Sequence, residues 1–75
     1  MSKLPVVSGR EIVKLLTKIG FAIVGREGSH VRLKRKRGRE VLIVIVPMHS
    51  EIAKGTLKSI LRQANMTVDD LVRLL

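Results

Sequence analysis

The sequence predicts an α+β fold in the order α-β-β-β-α, extended by a short terminal helix, with a three-stranded antiparallel sheet that carries its helices on one face. Three observations support this prediction. Apolar residues recur at helical spacing near both ends of the chain, an apolar–cationic alternation typical of a strand occupies the centre, and glycine-containing turns separate the central segments. Segments in this order are expected to form one sheet covered by helices on a single side.

The first helix is predicted over residues 9–19. Ser8 and Glu11 have the spacing of a capping box, in which each side chain satisfies a free backbone N–H at the helix start. Gly20 is expected to end the helix, because it adopts the left-handed conformation without a Cβ clash. One buried face follows from the apolar residues Ile12, Leu15, Leu16 and Ile19.

Three strands are predicted next, over residues 21–24, 29–36 and 41–46. A turn over residues 25–28 separates the first two, and Gly38 offers the positive φ of the second hairpin. The third strand is apolar at every position, which indicates cover on both faces. Two explanations stay open: the strand is central in the sheet, or one of its faces is bare and meets a protein partner or a second copy.

Two further helices complete the predicted order. The longer one is expected to end at Asn65, and its buried face consists of Leu57, Ile60, Leu61 and Ala64. Thr67 and Asp70 form a second capping box, which predicts a short terminal helix over residues 68–75.

Composition points to a small basic protein with a polyanionic partner. The 75 residues, 45% of them hydrophobic, are expected to form a single domain over 1–75. The net charge of +9 and the pI of about 11.3 favour nucleic acid, an acidic membrane surface or an acidic protein as that partner. The single aromatic residue, Phe21, argues against a base-stacking platform.

The same composition disfavours several kinds of site. Cysteine is missing, and two histidines with six scattered carboxylates are a poor basis for a metal, so neither a metal nor a cofactor is expected. The longest aliphatic run, residues 41–46, is far shorter than the roughly 20 residues of a membrane-spanning helix, so no membrane association is expected. Met1–Pro5 lack the apolar core of a secretion signal, and a cytoplasmic location is expected.

The main candidate for chemistry is His30, in the tripeptide Gly28-Ser29-His30. Alternate residues of a strand share one face, so His30 is expected to stand beside Arg32 and Lys34 and away from the core. Imidazole suits proton transfer because its pKa lies near neutrality. Spacing alone leaves two roles open: a catalytic histidine and an ordinary surface histidine.

Two other residues are candidates for catalytic support. His49 follows the third strand and could supply a second proton-transfer group; the favoured alternative is a loop histidine that bonds to backbone near the next helix. Ser29 could donate to a phosphate oxygen, although completing the turn is the safer role.

Cationic residues concentrate on the central hairpin and at the start of the long helix. A run of charge is usually only a solvated face, but this density favours contact with phosphates without base specificity. A helix start attracts anions through its free N–H groups, and a glycine there lets a phosphate approach closely. The candidate RNA-binding residues are Arg26, Arg32, Lys34, Arg35, Lys36, Arg37 and Arg39 on the hairpin, and Lys54, Gly55 and Lys58 at the helix start.

Five short motifs, in order, resemble a known family. They are Ser8-Gly9, Gly20-Phe21, Gly28-Ser29-His30, Pro47-Met48-His49, and Gly55-Thr56-Leu57 followed by Ile60-Leu61-Arg62-Gln63-Ala64. Each is weak alone, but their order and spacing resemble the HicA toxin family of mRNA interferases. That family has a double-stranded-RNA-binding-domain-like fold, α-β-β-β-α, which agrees with the order derived above.

The resemblance implies the toxin of a type II toxin–antitoxin system, acting as a metal-independent endoribonuclease on mRNA. It implies that His30 is the catalytic histidine and that a HicB-type antitoxin covers it. A homodimer and a hetero-oligomer with the antitoxin both stay open. Two other functions stay open from the residues themselves. One is a non-catalytic RNA-binding module, and the other is a basic subunit that docks an acidic protein on the bare face of the third strand.

Overall fold

The computed structural model describes residues 3–75 and confirms the predicted α+β order, with the first two residues of the predicted 1–75 domain lying outside the described part. The elements are α1 (Gly9–Lys18), β1 (Ala22–Glu27), β2 (His30–Arg37), β3 (Glu40–Pro47), α2 (Lys54–Gln63) and α3 (Val68–Leu74). The strands form one antiparallel sheet in the order β1-β2-β3, so β2 is central.

The core lies between one face of this sheet and the helices. Alternate residues of the two longer strands, Val31 and Leu33 on β2 and Val44 and Val46 on β3, are fully buried against it. The helices contribute Ile12, Leu15 and Leu16 from α1, Leu57, Ile60 and Leu61 from α2, and Leu71 from α3. The residues between the buried strand positions point to the other side, called here the open face.

Both predicted capping boxes are present, and both predicted helix ends are confirmed. Ser8 N donates to Glu11 Oε1 at 2.9 Å, and Glu11 N donates to Ser8 Oγ at 3.1 Å. Gly20 has a φ of +105°, and the chain folds back beyond it. Asn65 has a φ of +57° after α2, as expected of a residue that ends a helix in the left-handed region.

The second capping box predicts a dependence of stability on pH. Asp70 Oδ2 accepts from Thr67 N at 2.9 Å, and Thr67 Oγ1 accepts from Asp70 N at 3.0 Å. The backbone N–H of Thr67, and then its hydroxyl, hold the pKa of Asp70 below its ordinary value of 3.8. A lowered folded-state pKa means that this contribution is present above about pH 4 and is lost as pH falls through the lowered pKa.

We therefore expect Asp70→Asn to lower the thermal unfolding midpoint at neutral pH. The gap between parent and variant should shrink as the pH is lowered to about 2, because both then present an uncharged group at this position. Thermal unfolding followed by circular dichroism across this range is the measurement. A gap that stays constant with pH would contradict the assignment.

β1 is longer than predicted, and the predicted turn over residues 25–28 is wrong. The strand continues to Glu27, and only Gly28 and Ser29 form the turn. Val24 is the unpaired residue of a β-bulge. The bulge interrupts the alternation of side chains between the two faces, so the sequence pattern does not indicate that the strand continues beyond it. Gly28 has a φ of +58°, the conformation that lets two residues connect the strands.

β3 is an edge strand, so the explanation of its apolar run by a central position is wrong. Three of its side chains form an apolar stripe on the open face: Val41, Ile43 and Ile45, which are 49%, 42% and 44% exposed. The other explanation is therefore confirmed: one face of this strand is bare. At its outer edge, Gln63 Oε1 accepts from Ile45 N at 3.1 Å and ties the end of α2 to the strand.

Candidate functional site

Two rows of paired residues cross the open face side by side. In the His30 row, His30 lies between Glu27 of β1 and Pro47 of β3. In the Arg32 row, Arg32 lies between Gly25 of β1 and Ile45 of β3. His30 therefore stands on the open face next to Arg32, as the alternation of the sequence predicts.

A recess of about 200 Å³ lies over these two rows. It is lined by Gly25, Arg26, Glu27, His30, Arg32 and Ile45. The imidazole of His30 is exposed there and makes no hydrogen bond or ion pair within residues 3–75, so it is available to a ligand. The site combines a titratable ring, a guanidinium, a carboxylate and an apolar wall.

Backbone contacts at the first hairpin fix the position of His30. Met48 N donates to the carbonyl oxygen of Ser29 at 2.6 Å, so the end of β3 is held against the Gly28-Ser29 turn. Gly9 packs on the same region, since a Cβ at this position would lie 2.2 Å from the Pro47 carbonyl oxygen. Ser29 thus occupies the turn position, and the helix start supports the strand end next to His30.

His49 lies in the loop after β3 and borders a different cavity from the recess that His30 lines. Its carbonyl oxygen accepts from Gly9 N at 2.9 Å at the start of α1. Its surroundings form a different cavity, lined by Ser8, Arg10, Met48, His49 and Ser50. The two histidines thus line separate cavities, and only His30 faces the recess.

The predicted basic residues are divided between surfaces. Arg32, Lys34 and Lys36 share the open face with His30, and Arg26 borders the recess. Arg35 lies on the other side of β2, which faces the helices. Its guanidinium is beside Gly20 at the end of α1, where a Cβ added to the glycine would lie 3.3 Å from Arg35 Nε. Arg37 lies on the same side of β2 as Arg35, and Arg39 lies in the second turn.

The start of α2 forms a second cationic surface on the helical layer. Its N-cap residue, Ala53, offers no side-chain hydrogen bond, and its first turn contains no acidic residue. Lys54 and Lys58 are exposed, and with Lys3 they border a cavity of about 420 Å³. A Cβ at Gly55 would meet no atom within 4 Å, so its backbone is open to a ligand.

Sequence reasoning missed three residues of the recess: Gly25, Glu27 and Ile45. The sequence pattern places the first two in the predicted turn and the third in a uniformly apolar run. The signal that identifies Glu27 is the length of the turn. With only Gly28 and Ser29 between the strands, residues 27 and 30 must pair across the hairpin.

The fold and the site define a class: small, strongly basic α+β domains whose open sheet face gathers a histidine and cations beside a recess. The chain belongs to the HicA toxin family, because the model described as the HicA toxin of bacterial toxin-antitoxin matches residues 9–66, well over half of the chain. Membership implies an antitoxin partner. None of the curated proteins matches the chain. The family match ends before α3, whose Leu71 is nonetheless fully buried in the core.

Two further properties of residues 3–75 bear on the kind of site. Among the helices of this part of the chain, none is long and apolar enough to cross a membrane. Within the same residues, no three His, Cys, Asp or Glu side chains are gathered in the way that a metal ion requires.

Proposed function

We propose that this protein is an endoribonuclease that cleaves mRNA in the cytoplasm without a metal ion, and that His30 is its catalytic residue. The observation that carries the proposal is the exposed imidazole of His30, which borders the recess between the carboxylate of Glu27 and the guanidinium of Arg32. Family membership supports it, since the family consists of toxins. The net charge of +9 supports a polyanionic substrate.

The reaction that suits these groups is an internal transfer. The 2′-oxygen attacks the neighbouring phosphorus, the bond from phosphorus to the 5′-oxygen breaks, and a 2′,3′-cyclic phosphate and a 5′-hydroxyl result. Neutral His30 accepts the proton of the 2′-hydroxyl, and the 5′-oxygen leaves with a proton from imidazolium or water. Arg32 and Lys34 contact the phosphate, where negative charge accumulates.

The test is an RNA cleavage assay in the presence of a chelator, with analysis of the product ends. Cleavage that survives chelation and leaves 2′,3′-cyclic phosphate and 5′-hydroxyl ends supports the mechanism. Products with 5′-phosphate ends would point to a metal-dependent route. RNA that is retained without turnover across a range of pH would favour the non-catalytic RNA-binding module.

We propose Glu27 as a residue that positions His30, in place of a role for His49. The Glu27 carboxylate makes no bond to the imidazole in the free protein. Directly paired residues of antiparallel strands nevertheless have Cβ atoms about 4.5–5.5 Å apart, so the carboxylate lies within reach and can orient the ring once RNA is bound. His49 borders the separate cavity with Ser8 and Arg10.

The pair of variants Glu27→Gln and His49→Gln tests this assignment. We expect Glu27→Gln to lower kcat about tenfold with little change in KM, because the substrate still binds while the imidazole loses its orientation. His49→Gln is expected to stay within about twofold of the parent in both constants. The reverse ranking would make His49 the second group of the site.

We propose that the antitoxin is of the HicB type and covers His30 by binding the apolar stripe of β3. Val41, Ile43 and Ile45 are apolar, exposed and flanked on the same face by Arg32 and Lys34 of β2. A partner with an apolar strip and an acidic rim would match this surface. The stripe is also the observation that favours the alternative function of a subunit that docks an acidic protein.

Ile43→Lys tests the contribution of the stripe. Because Ile43 is exposed, we expect the variant to fold and to cleave RNA, but to bind the antitoxin at least tenfold more weakly, since a lysine is desolvated at the contact. Calorimetric titration and a cleavage assay with added antitoxin are the measurements. Val72→Lys, at a similarly exposed apolar residue of α3, controls for the added charge. Unchanged neutralisation would place the antitoxin elsewhere.

A further inference from the structure

Gly25 follows the bulged residue Val24, but neither its φ angle nor the packing of the protein requires a glycine there. Gly20, Gly28 and Gly38 have positive φ angles, and Gly9 faces a close backbone contact. Gly25 has neither constraint, since its φ lies outside the left-handed region and a Cβ there would meet no atom within 4 Å. Glycine is an unfavourable residue inside a strand, so its presence calls for another cause.

The lack of a side chain at position 25 leaves space for the recess on the open face. In the Arg32 row, the positions flanking Arg32 are Gly25 on one side and Ile45 on the other. The next row of the recess holds Glu27 and His30. A side chain at position 25 would project into this space, because paired residues in a row share one face of the sheet.

The size and lining of the recess select one kind of ligand. Its volume of about 200 Å³ is below the roughly 300–1,000 Å³ of sites for drug-sized molecules, so it suits one ring system and not a whole nucleotide. Ile45 offers an apolar wall to a flat ring. Arg32 offers donors to the acceptor edge of a base or a plane for stacking.

We propose that the recess over Gly25 is a subsite for one unpaired nucleobase, next to the phosphate that the 2′-oxygen attacks when His30 takes its proton. The base lies over the backbone of Gly25, against Ile45 and within reach of Arg32. The base must be unpaired, because it can enter the recess only after it has left the stack, as the bases of single-stranded RNA do. This proposal rests on the proposed RNA substrate, and it adds the position that selects single-stranded RNA.

The test measures binding of a single-stranded RNA hexanucleotide in the non-cleaving His30→Ala background. Its variants are Gly25→Val, which fills the recess, and Ala22→Val. Ala22 is a matched control because it lies on β1, pairs with Lys34 on the same open face, and lies outside the recess. The probes are the intact hexanucleotide and six versions in which one nucleotide at a time is abasic.

We expect Gly25→Val to bind the intact probe about tenfold more weakly and Ala22→Val to bind it as the parent does. With the parent protein, one of the abasic probes should bind about tenfold more weakly than the intact probe. With Gly25→Val the same abasic probe should bind as the intact probe does, because the two changes remove the same contact. The thermal unfolding midpoint should not fall, because a Cβ at position 25 meets no atom within 4 Å and valine is favourable in a strand.

Equal binding by Gly25→Val, or equal losses for all six abasic probes, would overturn the subsite. A loss confined to antitoxin binding would also overturn it, by making the recess a pocket for a protein side chain. The proposed catalysis is judged separately, by cleavage with His30 intact. A protein that shows the abasic coupling but never cleaves RNA keeps the subsite and loses the nuclease.

Discussion

His30→Ala is expected to lower the rate of RNA cleavage by at least about a hundredfold and to leave the fold intact. General acid–base catalysis by one positioned side chain contributes about 10²–10⁴ to a rate, and alanine can neither accept nor return the proton. The side chain is exposed and makes no hydrogen bond or ion pair within residues 3–75, so its loss removes no structural contact. Cleavage kinetics and growth of cells expressing the variant are the measurements.

His49→Ala is the matched control for this variant, because it removes the other exposed histidine, which lines a different cavity. We expect it to keep the cleavage rate and the growth arrest of the parent. RNA binding by His30→Ala should persist through Arg32 and Lys34, which separates a loss of chemistry from a loss of substrate. A His30→Ala protein that cleaves RNA at the parental rate would remove the catalytic assignment.

Gly9→Ala is expected to lower the free energy of unfolding by about 1–3 kcal/mol. A Cβ at this position would lie 2.2 Å from the Pro47 carbonyl oxygen and 2.8 Å from the Met48 Cα, so α1 must move away from the end of β3. The hydrogen bond from Gly9 N to the His49 carbonyl oxygen stretches with it. A loss of this size matters in a small domain without disulfides, whose total stability is only about 5–15 kcal/mol.

Urea unfolding at equilibrium measures this loss, and Gly25→Ala is its control. Gly9 is buried against the end of β3, whereas a methyl group at Gly25 meets open space. We expect Gly25→Ala to be neutral or slightly stabilising, because alanine lowers the entropy of the unfolded chain. Similar losses in both variants would mean that the close approach at Gly9 relaxes freely.

The elements that the sequence predicts well are those with local causes. The capping boxes of α1 and α3 lie within four residues each, and the left-handed ends at Gly20 and Asn65 depend on one residue type. The alternation from His30 onward is equally local, and it places that histidine on the open face. Each of these features follows from chemistry between near neighbours in the chain.

The recess has a different origin, because it depends on pairing between strands. Val24 forms a bulge only in relation to β2, and the bulge decides that Gly25 pairs with Arg32 and Glu27 with His30. Strand order has the same character: the apolar run of β3 is identical whether the strand is central or at an edge. The separation of His49 from His30 depends on where the loop after Pro47 leads, which no local pattern specifies.

The hydrogen bond from Ile45 N to Gln63 Oε1 has a consequence for self-association. An edge strand presents unpaired backbone groups that can template the addition of a further strand, and β3 combines such an edge with an apolar stripe. Gln63 occupies the donor in the middle of that edge. A strand added at this point of the edge would have to displace that hydrogen bond, whereas the side chains on the open face stay accessible. β3 can therefore bind a partner through its side chains while its backbone at Ile45 resists further strand pairing.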